Sequence, residues 1–310
     1  MSDDLDAAMG FAPDYDSAIP YMARTRAYYQ AIGYAAPYRW AHFVGAPFAA
    51  LGKPLARSRV AIITTAAPFQ PGKGDQGPGA VYNGSAKFYQ VYAAPTDQPA
   101  DTRISHIGYD RKHTSATDQN SWLPLAALHR AAAAGRIGTV APRFFGAPTN
   151  RSHRVTIETD APHILASCRA DAVDVAVVVP NCPVCHQTGS LVARHLEANG
   201  LPTVVMGTAR DIVEHSGVAR FLFSDFPLGN SAGRPHDLAS QNATLELALR
   251  VLESAVAPQT TVQNPQRWSA DGLWKMDYLN LEQIGAEELA RRRAEFDRQK
   301  DLARANRVAA

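Results

Sequence analysis

The sequence has few cysteines, little excess charge and no long apolar run. Its 310 residues include three cysteines, and 31 basic residues balance 29 acidic ones to leave a net charge of +2. So few cysteines exclude a disulfide framework. The small net charge gives no reason to expect nucleic acid or a membrane surface as a partner. No stretch approaches the roughly 18 apolar residues that a membrane span requires.

The beginning of the sequence also lacks a targeting pattern. Residues 1–6, Met-Ser-Asp-Asp-Leu-Asp, are acidic and contain no apolar core, so we expect no signal peptide. Together with the few cysteines, this predicts a protein of the reducing cytoplasm. In that compartment a closely spaced cysteine pair is more often catalytic or metal-binding than structural.

Such a pair is present in the middle of the chain. Cys182-Pro183-Val184-Cys185-His186 follows the apolar run 173–179 and precedes a helix-like stretch. A helix N-terminus offers unpaired N–H groups and a partial positive charge, which favour thiolate over thiol. Proline is suited to the first helical position, so the pattern predicts Cys182 at the N-cap. Cys182 and Cys185 are therefore the predicted catalytic residues, and His186 is predicted to handle a proton or to cap polar space at the helix start.

Other interpretations of the motif stay open. Cys-x-x-Cys-His is also the attachment pattern of c-type haem, but that chemistry requires export. A structural zinc site requires four ligands, and the sequence offers only His186 nearby, so no metal is predicted. The two cysteines could also be inert and buried. The remaining Cys168 lies within a predicted helix and is expected to be a small core residue.

The pattern of elements predicts an α/β fold. Apolar strands around residues 60–65, 173–179, 203–206 and 221–223 alternate with helices, which implies a parallel sheet with right-handed crossovers. We predict a Rossmann-like or flavodoxin-like three-layer sandwich, with an N-terminal aromatic segment and a C-terminal helical arm. The predicted divisions are a wrapping segment (1–57), an α/β catalytic domain (58–257, with sub-lobes 58–150 and 151–257) and the arm with its charged helix (258–310).

Ligands of open α/β sheets bind at the carboxyl ends of the strands, which directs attention to polar residues there. Thr64 and Thr65 end the first strand, and Asp225 follows the strand at 221–223. The polar loop from Asp110 to Asp118 is predicted to form the rim of the same pocket. The glycine-rich loop at 70–84 lacks the spacing of a phosphate site and is predicted to be a surface loop or a lid.

Several spaced motifs between residues 104 and 235 resemble the selenoprotein B subunits of the glycine, sarcosine, betaine and D-proline reductases. The matching pieces are the strand 173–179 leading into Asn181-Cys182-Pro183-Val184-Cys185-His186-Gln187, then Leu201-Pro202-Thr203, Gly135-Arg136-Ile137-Gly138 and Phe226-Pro227-Leu228-Gly229. In that family a selenocysteine paired with a cysteine attacks the substrate carbon and is left oxidised as a selenide–sulfide. The resemblance implies that the nucleophile lies within the Cys182/Cys185 pair. Here both positions are cysteine, which favours an easier bond to reduce, such as a C–S or thiocarbonyl group.

The sequence thus predicts a cysteine-dependent reductase of a small molecule. It would use no bound cofactor, and an external thiol such as glutathione or thioredoxin would restore the dithiol. Two alternatives remain: a thioredoxin- or glutaredoxin-like oxidoreductase of protein disulfides, and a non-catalytic subunit of a reductase complex. Because the segment after Pro258 carries aromatic residues without a core of its own, we also expect a homo-oligomer.

Overall fold

A computed structural model describes residues 14–77, 80, 82–104 and 106–309 of the chain. The acidic N-terminal residues, part of the glycine-rich loop and Ser105 lie outside the described residues, so the predictions made for them stay predictions. The sequence around Ile104 also predicts a short strand over residues 104–107, but in the described part none forms there. Ile104, His106 and Ile107 are irregular, and the nearest strand is a two-residue pair at Thr102–Arg103.

The described chain is built on a mostly parallel sheet. Its strands in chain order are β1 (Arg59–Thr64), β3 (Tyr92–Pro95), β5 (Thr139–Val140), β6 (Arg143–Gly146), β7 (Val175–Val179), β8 (Thr203–Gly207), β9 (Arg220–Phe223) and β10 (Thr260–Gln263). The path across the sheet runs β10-β9-β8-β7-β1-β6-β3, and β5 also pairs with β1. Only β3 is antiparallel to its neighbour. Two further short strands, β2 (Ala67–Pro68) and β4 (Thr102–Arg103), form a separate antiparallel pair.

Helices cover both faces of this sheet. They are α1 (Tyr21–Ala31), α2 (Leu125–Ala133), α3 (Ala161–Ala170), α4 (Pro183–Ala198), α5 (Arg210–Ser216), α6 (Leu238–Ser254) and α7 (Ala286–Ala309). A helical turn at His153–Val155 and a π-helical turn at Thr156–Asp160 lead into α3. In the part of the chain that the structure describes, no helix is long and apolar enough to cross a membrane.

Alternate side chains of the buried strands contribute to two cores. Val60, Ile62 and Val177 belong to the core under α2 and α6, whereas Ala61 and Ile63 belong to the core under α3 and α4. This is the alternation expected when both faces of a parallel sheet are covered. The predicted α/β three-layer fold is confirmed.

The sheet extends beyond the boundary expected at residue 257. Strand β10 pairs with β9 in register, with Thr260 opposite Arg220 and Gln263 opposite Phe223. The first part of the predicted arm is therefore the edge strand of the sheet. The division of the chain into three parts stays a prediction.

The two ends of the described chain meet above the Cys182 turn. Tyr28, Tyr29 and Tyr38 from the N-terminal segment share one apolar cluster with Cys182, Cys185 and, from α7, Phe296. Helix α7 is highly charged, and a small apolar stripe on it packs against the rest of its own chain. A helix with so few apolar residues depends on such tertiary contacts for its stability.

Candidate active site

Cys182 lies where the sequence placed it, at the N-cap of α4. Its backbone is extended, and its sulfur accepts the backbone N–H of Cys185 at 3.2 Å. Pro183 occupies the first helical position, where its missing N–H has no intrahelical partner to lose. The Cα atoms of Cys182 and Cys185 lie 4.8 Å apart, and the two sulfurs are bonded as a disulfide. The predicted thiol pair therefore has the geometry of a redox couple.

The two cysteines differ in accessibility. Cys182 is 4% exposed and borders a small cavity of about 50 Å³, whereas Cys185 is fully buried. The Cys185 sulfur lies 3.4 Å from the hydroxyl of Thr149. Only Cys182 faces a space that a small molecule could enter, which makes it the exposed partner of the pair.

The cavity beside Cys182 is lined by aromatic and cationic side chains. Its lining residues are Tyr29, Tyr34, Tyr82, Lys87, Phe88, His106, Ile107, Thr149, Arg151, Cys182 and Val184. No Asp or Glu side chain is among these lining residues. The wall of the cavity thus carries a positive potential next to the sulfur.

The Arg151 guanidinium is held by aromatic rings and not by a carboxylate. It lies 3.7 Å from the ring centre of Tyr34 and 5.1 Å from that of Tyr29. Such cation–π contacts stabilise the charge without neutralising it. The buried Nε atom of Arg151 has no hydrogen-bond partner among the described residues. Arg151 also has a left-handed backbone, with φ of 57°, a strained conformation that the surrounding structure must maintain.

Lys87 is the second cation of the cavity. Burial, together with the nearby charges of Arg151 and Arg307, lowers the pKa of Lys87 to about 8. Neither Lys87 nor Arg151 forms an ion pair with any residue that the structure describes. An anionic group bound in this confined space would pair with two cations that have no counter-charge there.

His106 contributes an uncharged polar group to the same cavity. Burial, with the charges of Arg111 and Lys87, lowers the pKa of His106 to about 3. Its buried Nδ1 has no partner among the described residues. A neutral imidazole with an unused nitrogen can donate or accept one hydrogen bond to a bound molecule.

His186 does not line this cavity. Its Nδ1 lies 2.8 Å from the carbonyl oxygen of Cys182, and its Nε2 accepts the backbone N–H of Thr208 at 2.9 Å. These partners fix a neutral tautomer in which Nδ1–H donates. Burial lowers the pKa of His186 to about 4, which maintains the neutral state near pH 7. Both nitrogens are thus occupied in holding the Cys182 turn against the end of β8.

The two threonines at the end of β1 also have structural partners. The Thr64 hydroxyl donates to the carbonyl oxygen of Trp122 at 2.9 Å, and the Thr65 hydroxyl accepts the N–H of Asn181 at 3.1 Å. Both side chains are fully buried. Thr65 therefore supports the backbone just before Cys182 from beneath, and neither threonine lines the cavity.

The three predicted aspartates lie in three different places. Asp110 lines a neighbouring cavity of about 280 Å³, where it accepts the ring N–H of His113 at 2.9 Å. Asp118 caps the turn after it and accepts N–H groups from His236 and Gln241. Asp225 forms an ion pair with Lys275 at a third, separate cavity.

The structure thus does not bring all the predicted site residues into one pocket. Cys182 lines the small cavity with Cys185 directly behind it, and Asp110 lines the adjoining larger one. The two cavities share the lining residues Tyr82 and Ile107. Asp118 and Asp225 lie elsewhere.

The sequence interpretation missed Lys87, Arg151 and His106. Lys87 and His106 lie in irregular segments, and Arg151 follows the short strand β6 that was not predicted. A signal was available in the tyrosine-rich N-terminal segment, because aromatic side chains often surround a bound or buried cation. The spacing of the tyrosines alone does not identify the cation that they pack against.

Comparison with known proteins finds two relatives among the subunits of reductases. Over 171 residues the chain is 25% identical to the D-proline reductase subunit gamma of Acetoanaerobium sticklandii, covering 55% of this chain and 70% of the relative. Over 215 residues it is 26% identical to the glycine reductase complex component B subunit gamma of Carboxydothermus hydrogenoformans, covering 67% of this chain and 48% of the relative. The chain resembles the gamma subunits of amino-acid reductases.

The resemblance inferred from the sequence motifs is confirmed by these two relatives, at low identity. The alignment spans about half the length of the glycine reductase subunit. No protein-family model matches the chain, and no solved structure matches it. The relatives are named as subunits of reductases, so the comparison supports a role in a reductase or its complex.

Proposed function

We propose that this chain is a cysteine-dependent reductase of a small molecule. The observation that carries the proposal is the disulfide-bonded Cys182–Cys185 pair, whose Cys182 borders a cavity with two unneutralised cations. The reductase names of the relatives support the same class of chemistry. Cys182 would be the attacking thiolate, because it is the exposed partner and accepts an N–H at a helix N-terminus.

The reaction can be written with balanced atoms and electrons. In the reduced protein, the Cys182 thiolate attacks the carbon of a substrate R–Y, forms a C–S bond and expels Y, which leaves with a proton. The Cys185 thiolate then attacks the sulfur of Cys182, and R departs with its bonding electrons and is protonated to RH. The sum converts R–Y and two thiols into RH, HY and one disulfide. Because R must bear negative charge as it leaves, a carbon next to a carbonyl or thiocarbonyl is favoured.

Regeneration requires an external thiol, which supplies two electrons to the disulfide. Since Cys185 is fully buried, the incoming thiolate would attack the sulfur of Cys182. A small thiol of the glutathione class fits this restriction better than a protein. A reducing compartment such as the cytoplasm would supply it.

The cavity favours an anionic substrate. Lys87 and Arg151 offer positive charge next to Cys182, and His106 offers a neutral hydrogen-bonding group. A substrate with a carboxylate, or a similar small anion, would pair with these cations and orient the adjacent carbon toward the sulfur. The adjoining cavity of about 280 Å³ has room for the rest of the molecule.

The same geometry argues against a thioredoxin-like activity on protein disulfides. Cys182 is 4% exposed and borders a small cavity. A disulfide within a folded protein would therefore have less access to the sulfur than a small molecule has. A non-catalytic subunit remains the competing interpretation, because the relatives are named as subunits.

The test uses reduced protein and pairs of small C–S compounds that differ only in a carboxylate or its amide. We expect dithiol-dependent turnover with carboxylates and a preference of about tenfold or more over the amides, equivalent to about 1.4 kcal/mol. Lys87→Gln should lower this preference, whereas Lys53→Gln should not, because Lys53 pairs with Asp174 elsewhere on the surface. Absence of thiol consumption with every compound would contradict the reductase and favour the non-catalytic subunit.

A further inference from the structure

Helix α7 makes a set of specific contacts with the segment that carries Lys87. The backbone N–H of Gly84 donates to the side-chain oxygen of Gln299 at 2.7 Å, and the Tyr89 hydroxyl donates to the carbonyl oxygen of Ala303 at 2.7 Å. The side-chain amide of Asn306 donates to the carbonyl oxygen of Lys87 at 2.7 Å. These three bonds are spaced along two turns of one helix face. They hold the segment 84–89 at both ends and at Lys87 itself.

The contact at Gly84 is so close that only glycine fits. A Cβ atom at this position would overlap the carbonyl oxygen of Gln299 and lie 3.0 Å from the backbone nitrogen of Ala303. Both opposing atoms belong to the backbone of α7, so no side-chain rotation could relieve the overlap. The interface is therefore packed backbone to backbone at this point.

Helix α7 also covers the aromatic cluster around the cysteines. The Phe296 ring packs against Tyr34, with ring centres 4.6 Å apart, and Tyr34 in turn stacks on the Arg151 guanidinium. Phe296 and Gln299 are each 6% exposed, although most of the helix faces solvent. One helix thus contacts the segment that carries Lys87 and the tyrosine ring on which Arg151 stacks.

We infer that the C-terminal helix is a positioning element of the Cys182 cavity, supplied by the same chain. It holds the backbone of Lys87 and the ring that supports Arg151, and it lines the adjoining cavity of about 280 Å³. Displacement of α7 would open access to Cys182 and weaken the positive potential beside it. This inference concerns the geometry of the cavity and goes beyond the reaction proposed above.

Substitution of Gly84 tests the inference directly. In Gly84→Ala the overlap with the α7 backbone should displace the helix, because overpacked contacts are relieved by backbone shifts. Gly52→Ala is the matched control, since a Cβ at Gly52 meets no atom within 4 Å. The measurement is the alkylation rate of Cys182 in the reduced protein by neutral iodoacetamide and by anionic iodoacetate.

We expect Gly84→Ala to raise the iodoacetamide rate at Cys182 by about tenfold, which corresponds to about 1.4 kcal/mol in favour of the open form. The rate with iodoacetate should rise less, because Lys87 moves away from the sulfur. Trypsin should also cut α7 faster, at its many arginines. Gly52→Ala should behave as wild type in all three assays.

Unchanged alkylation and unchanged proteolysis in Gly84→Ala would overturn the inference. If Gly84→Ala does not fold, the double variant Tyr89→Phe and Asn306→Leu removes two of the three hydrogen bonds without an overlap. It should change the same three rates in the same direction, and wild-type rates would again overturn the inference. Because no turnover is measured, the outcome is independent of whether the reductase proposal holds.

Discussion

The role of His186 gives a prediction whose magnitude follows from the structure. The imidazole is fully buried, donates to the Cys182 carbonyl and accepts from the N–H of Thr208. We therefore expect it to stabilise the fold as a neutral ring and to take no part in proton transfer. The informative substitution is His186→Gln, which retains one amide donor but has no group that titrates near neutral pH.

The pH dependence has a definite sign. Burial lowers the pKa of His186 from 6.5 to about 4 in the folded protein. Between these two values the unfolded chain binds the proton and the folded protein does not, so stability falls as the pH decreases. The stabilisation is fully present above pH 6.5 and is lost toward pH 4. From pH 7 to pH 5 the wild type should lose about 2 kcal/mol through this group, at about 1.36 kcal/mol per pH unit.

The assay is urea unfolding of the oxidised protein at pH 7 and pH 5. At pH 7, His186→Gln should be less stable than wild type by about 1–3 kcal/mol, since a buried hydrogen-bonding partner is lost. At pH 5 this difference should shrink by about 2 kcal/mol, because only the wild type carries the titrating ring. The other titrating groups, including His106, are common to both proteins and cancel in the comparison.

A control separates this effect from the general loss of an imidazole. His129→Gln removes an exposed ring that bonds one carbonyl, that of Thr96, at 2.8 Å. Measured at the same two pH values, this variant reports the effect of losing an imidazole that is not buried. If the stability difference between His186→Gln and wild type is the same at pH 7 and pH 5, the reasoning about a buried neutral imidazole is refuted.

Three further predictions follow from burial and composition. Glu197→Gln should lower the free energy of unfolding by about 3–5 kcal/mol, because it leaves the Arg220 guanidinium buried without its ion-pair partner at 2.9 Å. In the same unfolding assay, Arg250→Gln breaks an exposed pair with Glu246 and should cost less than about 1 kcal/mol. Cys168→Ser should leave thiol-dependent turnover intact. Native Cys168 should react slowly with iodoacetamide, because burial raises its pKa to about 12, and fast labelling of Cys168 would contradict this expectation. The homo-oligomer expected from the aromatic segment after Pro258 stays a prediction, although β10 and α7 pack on their own chain; light scattering should give a mass above 33.5 kDa, and a monomer mass at micromolar concentration would contradict it.

The central part of the fold was predictable because its signals are local. Strands β7 and β8 are buried on both faces, so they have continuous apolar sequences bounded by turns. The Cys182 turn was predictable for a similar reason, since an N-cap, a proline at the first helical position and the paired cysteine lie within four residues. These features depend on neighbours in the sequence.

The cationic cavity was not predictable because it depends on distant segments. Lys87, His106 and Arg151 come from three loops, and their convergence is fixed by α1 and α7 packing above the sheet. Helix α7 was correctly predicted as a charged helix, but its contacts with its own chain were not predicted. The charged sequence of this helix gave no indication that Gln299 would contact Gly84, 215 residues earlier in the chain.

His186 shows the same limit on a smaller scale. Its position next to Cys185 suggested a role in proton transfer, but helical geometry turns its ring toward Thr208 and Gly207. Residues at adjacent positions of a helix point in different directions, so closeness in sequence does not give closeness of side chains. The role in proton transfer is a prediction from the sequence alone, whereas the contacts of the ring favour the structural role that the pH experiment above tests.

The most direct test of the central claim is to trap the first covalent intermediate. Reduced Cys185→Ser protein, which lacks the resolving thiol, should be mixed with a carboxylate substrate identified in the turnover screen and analysed by intact and peptide mass spectrometry. The account predicts one stable adduct of the R fragment on Cys182, with release of one equivalent of HY and no RH. An adduct on Cys168, or continued formation of RH without Cys185, would contradict it.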